Sequence, residues 1–139
     1  MSEPELPFFA YGTLRPGAYN HDRYLAGRTA DEEPARLADV VLYEGPGYPY
    51  AVELAGSEVA GTLITPAAGR YREVLDVLDR LEEYYGPGRP FNVYERVTCR
   101  AVRADGTAVA AWVYLAAAPV ARRLRATGRQ IASGDWFVR

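Results

Sequence analysis

In the stretch "RYREVLDVLDRLEEYY", residues 70–85, a helical pattern carries one charge in the wrong place. At about 100° per residue, Tyr71, Val74, Leu75, Leu78, Leu81 and Tyr85 form an apolar stripe. Glu73, Asp76, Arg80 and Glu83 fall on the opposite, wet face, and Asp79 lies at the edge of the stripe. Glu82 follows Leu78 by four positions and precedes Tyr85 by three, which puts it near the stripe's centre. A carboxylate there loses hydration and must be paired, hydrogen-bonded or protonated. One reading is structural, with Glu82 paired to an arginine such as Arg96 or held by a tyrosine hydroxyl. The other is catalytic: desolvation raises a carboxyl's pKa towards neutrality, where it can both accept and return a proton. A shifted helix register would remove the conflict altogether.

The second candidate is "FFAYGTLRPGAYNH", residues 8–21. It starts as a buried strand and breaks into glycine, threonine, proline and glycine. Gly12 allows a ligand or another strand to come close to the backbone, and the turn can offer successive N–H groups to an anion or polarised carbonyl. The plainer alternative is a glycine that relieves a packing clash, followed by an ordinary Pro16-Gly17 turn. Neither G-x-G-x-x-G nor G-x-x-x-x-G-K-[ST] is present. His21, the single histidine, sits beside Asn20 and Asp22 and reads more readily as a solvated or hydrogen-bonding residue than as a base. Ser2, Ser57 and Ser133 lack a G-x-S-x-G setting, and any triad would depend on His21. Cys99 is the one cysteine, so no intramolecular disulfide forms, and no Cys/His cluster has metal-ligand spacing. Lysine is absent. Chemistry here is therefore expected to proceed without lysine or metal.

The elements that must position these residues are mostly strands. Candidates run over 8–14, 37–45, 50–55 and 59–66, separated by Gly/Pro turns. Residues 93–102 alternate cleanly, with Val93, Glu95, Val97, Cys99 and Ala101 on one face. Across Asp105-Gly106, residues 108–116 make the hairpin partner. One or two helical turns are expected around Asn20–Leu25, and a short helix in the tail. The pattern predicts an α+β fold, a small mixed, mostly antiparallel β-barrel with one principal helix packed at a cavity. The 139 residues suit one domain, 1–139. A net charge of −2 with dispersed arginines argues against a nucleic-acid partner. No apolar run reaches membrane-spanning length and the N-terminus lacks a signal-peptide pattern, so a cytoplasmic protein with no membrane partner is expected. The oligomeric state is left open.

Taken together, "FAYGTLRPG…NH" at 9–21, "GTLI" at 61–64, "LDRLEEYY" at 78–85, "VYERV" at 93–97 and "AWVY" at 111–114 resemble the gamma-glutamylcyclotransferase-like superfamily, in particular its gamma-glutamylamine cyclotransferase and AIG2-like branch. The resemblance runs in order over most of the chain. It implies that Tyr11, Gly12, Thr13 and Leu14 bind substrate and that Glu82 is the acid/base. Glu83 stands where many relatives have glycine; the helix wheel turns it to solvent. Tyr94 and Tyr114 lie on strands suited either to lining the cavity or to plain core. Arg96 could hold a substrate α-carboxylate, with a surface cross-strand ion pair as the plainer role. The implied reaction needs little equipment and no cofactor, since it uses a substrate amine and one carboxylate. The α-amine of a gamma-glutamyl amide attacks its own gamma-carbonyl, releasing 5-oxoproline and a free amine. A non-catalytic ligand-binding module, or a related gamma-glutamyl amide-processing enzyme in a biosynthetic pathway, would carry the same residues.

Overall fold

The computed structural model describes residues 5–139. Five strands, β1 (Phe8–Ala10), β2 (Thr29–Tyr43), β3 (Tyr50–Pro66), β4 (Tyr94–Arg103) and β5 (Ala108–Ala116), close into a barrel in the order β1-β3-β2-β4-β5. Neighbours pair antiparallel except where the barrel closes, at a parallel β1–β5 contact with Phe8 opposite Trp112. The α+β barrel expected from the sequence is the fold observed. Three helices accompany it: α1 (Tyr19–Tyr24), α2 (Tyr71–Leu81) and α3 (Ala118–Thr127). α1 falls on the helical turns expected around Asn20–Leu25, and α3 on the short helix expected in the tail.

Three expected boundaries move. β1 stops at Ala10, and residues 11–18 turn away from the sheet. β2 begins at Thr29, upstream of the expected 37–45, because "TADEEPAR" pairs along β3 although its polar content hides the alternation. The pieces 50–55 and 59–66 form one strand, β3. Gly56, read from the sequence as turn material, sits within that strand at φ 87° opposite a register shift between Ala38 and Val40. There the Asp39 carboxylate accepts the Gly56 N–H at 3.0 Å, so the pair bends without separating.

Alternation along β1 feeds two apolar clusters. Phe9 packs with Leu63, Ala101, Ala111 and Val113 in the barrel interior. Phe8 and Ala10 face outward with Ile64 and meet Val74, Leu75 and Leu78 of α2. Burying these three helix side chains contributes roughly 1.5–3 kcal/mol each and seats α2 against β1 and β3. Among the described residues, no helix is long and apolar enough to cross a membrane.

Candidate active site

α2 ends four residues earlier than the 70–85 pattern suggests, and its ending delivers Glu82. Glu82 is the C-cap, and Glu83 follows in the left-handed region at φ 51°. The Glu83 N–H bonds to the Arg80 carbonyl at 3.2 Å and the Tyr84 N–H reaches back to the Asp79 carbonyl at 2.9 Å. These two bonds define a Schellman ending, in which glycine ordinarily takes the left-handed position. The reversal buries Tyr84 and leaves Tyr85 exposed, so Tyr84 takes the inward place that the periodicity gave to Tyr85. A side chain in left-handed backbone costs about 1–2 kcal/mol. Glu83→Gly is accordingly expected to stabilise the fold by about 1 kcal/mol, read as a higher denaturant midpoint with an unchanged slope.

Opposite Glu82 lies the turn after β1. Tyr11, Gly12, Thr13 and Leu14 are all buried. The Asn20 N–H bonds to the Thr13 carbonyl at 3.0 Å and the Asn20 side-chain amide to Thr13 Oγ1 at 2.9 Å, tying the turn to α1. The N–H groups of Gly12, Thr13 and Leu14 donate to no protein acceptor among the described residues. Buried amides are nearly always paired, so three in succession with no protein acceptor are suited to donate to a ligand in the cavity beside them.

Between the turn, α1, the 44–49 loop, the end of α2, the start of β4 and the end of β5 lies a cavity of about 260 Å³. Glu82, Tyr11, Gly12, Thr13, Leu14, Tyr94 and Tyr114 all line it. The Glu82 carboxylate has no hydrogen-bond or ion-pair partner among the described residues. Burial, reinforced by the neighbouring Glu83 charge, pushes its pKa from 4.5 up to about 7. Around it the hydroxyls are fixed. The Tyr11 hydroxyl donates to the Tyr114 carbonyl, Tyr94 to the Pro49 carbonyl at 3.0 Å, and Tyr114 to Asp79 Oδ1 at 2.7 Å. Burial raises the pKa of all three phenols well above the ordinary tyrosine value, which keeps them protonated donors.

Two sequence candidates lie elsewhere. Arg96 pairs with Asp79 at 2.8 Å and packs over the Trp112 and Tyr84 rings, its side chain only 6% exposed. It is a buried strut between β4 and α2, neither a partner for Glu82 nor a surface cross-strand pair. His21 bonds through Nε2 to Glu32 Oε2, which also accepts the Thr29 hydroxyl, and it does not line the cavity. The sequence reading missed Asn20, Tyr48 and Pro49 on the cavity wall. Pro49 is what a side chain at residue 12 would meet: a Cβ there would stand 2.7 Å from Pro49 Cδ. Nothing in the local pattern of "GPGYPYA" announces that contact.

Residues 8–138 match the family described as "Gamma-glutamyl cyclotransferase, AIG2-like". The chain belongs to that family. A curated relative, the gamma-L-glutamyl-butirosin B gamma-glutamyl cyclotransferase of Niallia circulans, is 36% identical over 107 residues, covering 77% of this chain. The match takes in 64% of that relative's length. Among solved structures, an AIG2-like protein of Mus musculus superposes with a TM-score of 0.62 at 23% identity, covering 81% of this chain and 77% of its own. An uncharacterized protein of Pyrococcus horikoshii gives 0.62 at 21% identity, covering 94% and 89%. These structural likenesses establish the shared fold.

Proposed function

We propose that this protein is an intramolecular cyclotransferase that converts a gamma-glutamyl amide into 5-oxoproline and a free amine. The observation that carries the reading is Glu82: a carboxyl that lines the cavity, has no partner among the described residues and faces a turn whose amides have none there either. In the proposed reaction the substrate folds so that its α-amine meets its own gamma-carbonyl carbon, which replaces a bimolecular encounter by proximity. Glu82 takes a proton from the α-ammonium. The amine nitrogen then forms the ring C–N bond, and the oxygen that gains charge is suited to the turn amides. Collapse of the tetrahedral centre breaks the original amide C–N bond as Glu82 returns its proton to the departing nitrogen, and the ring nitrogen then gives up its second surplus proton, which leaves with the released amine as its ammonium form. One carboxyl with a pKa near 7 suits both transfers.

The chain's membership of the family and its likeness to a curated cyclotransferase support this reading. The direct test is a panel of gamma-glutamyl amides assayed for 5-oxoproline together with the released amine. Ligand-induced protection without turnover would instead identify a binding module. The pH dependence follows from the same group. Glu82 accepts a proton only when ionised, so kcat/KM is expected to rise with pH through about 7. A profile flat from pH 5.5 to 8.5 would remove Glu82 from the base role.

A further inference from the structure

Glu83 remains unexplained by the proton transfers. It occupies the left-handed position that glycine takes without strain, and its side chain is exposed yet lines the cavity. Non-glycine residues held in left-handed backbone cluster at functional sites. Among the described residues that line the cavity, Glu82 and Glu83 are the only charged ones, and no arginine or histidine joins them. Tyr19 and Tyr48 line the same cavity, with Tyr19 63% exposed and its hydroxyl bonded to the Gly47 carbonyl at 3.0 Å. The pKa of the Tyr48 hydroxyl is raised first by its hydrogen bond to Tyr50 and by burial, and then by the charges of Glu83 and Glu82. A carboxylate and aromatic rings together attract an ammonium group, the first by charge and the rings by their π faces. The same carboxylate repels a carboxylate ligand.

We infer that Glu83 is a specificity residue that reads a second positive charge on the departing amine. The preferred substrates are then gamma-glutamyl amides of diamines, ahead of those of neutral amines and well ahead of those of amino acids. This rests on the cyclotransferase reading, in which the glutamyl half lies against the turn and Glu82, leaving the amine half towards Glu83. The two carboxylates divide the work: Glu82 moves the proton, and Glu83 selects the amine that leaves. Retaining a non-glycine residue at this position sacrifices stability for that selection.

Three substrates of matched length separate the terms: gamma-glutamyl amides of 1,4-diaminobutane, pentylamine and 5-aminopentanoate. For the wild type, kcat/KM is expected to fall in that order, by about fivefold or more per step at low salt. The diamine-to-pentylamide ratio should shrink as salt is added. In Glu83→Gln, which keeps the side-chain length and the backbone conformation, that ratio should approach one. An equal ratio in the wild type and Glu83→Gln overturns the assignment while leaving the cyclotransferase reading intact. If none of the three amides is cyclised, that reading fails, and calorimetric binding of the same compounds decides the inference separately. Tighter binding of the diamine amide that vanishes in Glu83→Gln upholds the charge selection; equal binding by both proteins overturns it.

Discussion

Glu82→Gln is expected to lower turnover of a gamma-glutamyl amide by at least about a hundredfold while the protein stays folded. The substitution keeps the shape of the side chain and removes its ability to accept a proton, a function worth about 10²–10⁴ in rate. Stability should move in the opposite direction, and its pH dependence identifies the cause. The folded protein holds the Glu82 proton more tightly than the unfolded chain, with a pKa of about 7 against 4.5. Wild-type stability therefore falls as pH rises from 4.5 to about 7 and levels off above, because the unfolded chain ionises first. Glu82→Gln lacks this term, so its melting temperature should exceed the wild type's by more at pH 8 than at pH 5. Asp76→Asn, on the wet face of α2 in an exposed pair with Arg72, serves as a control with turnover near the wild-type value. Wild-type cyclisation by a folded Glu82→Gln would end the acid/base assignment.

Gly12→Ala should cost activity through the opposite wall. The added Cβ would stand 2.7 Å from Pro49 Cδ and 2.8 Å from Pro49 Cγ, both inside contact distance. Pro49 cannot simply rotate away, since its ring is closed and its carbonyl holds the Tyr94 hydroxyl at 3.0 Å. The turn and the 44–49 loop must therefore separate, widening the cavity at the point where the three unpaired amides begin. Overpacking of this kind costs about 1–3 kcal/mol in stability. Displacement of the turn by about 1 Å can cost about a hundredfold in rate when it carries the positioning groups. The expected result is a lower melting temperature together with a fall in kcat/KM of about tenfold or more. Unchanged kinetics in Gly12→Ala would show that the turn does not position substrate.

Glu82 was legible in the sequence because a glutamate interrupting an apolar stripe is a conflict of period, and period is a local property. The turn after β1 was legible only in part: the glycine marked where the backbone opens, but the strand ends at Ala10 where the pattern carried it to residue 14. Local pattern also identified the β4–β5 hairpin through Asp105-Gly106, where Thr107 bonds back to the Asp105 carboxylate. It could not show where α2 ends. The Schellman reversal at Glu83 depends on backbone conformation that a glutamate does not advertise, and it exchanged Tyr85 for Tyr84 as the inward residue. Nor could it choose between the two fates of Glu82. Only the tertiary structure gave Arg96 to Asp79 and left Glu82 without a partner among the described residues, because barrel closure decides which distant side chains meet. The contact of Pro49 with Gly12 belongs to the same class: the alternation of a strand fixes which way a residue faces, whereas its neighbour across the cavity is set by how the whole sheet curls.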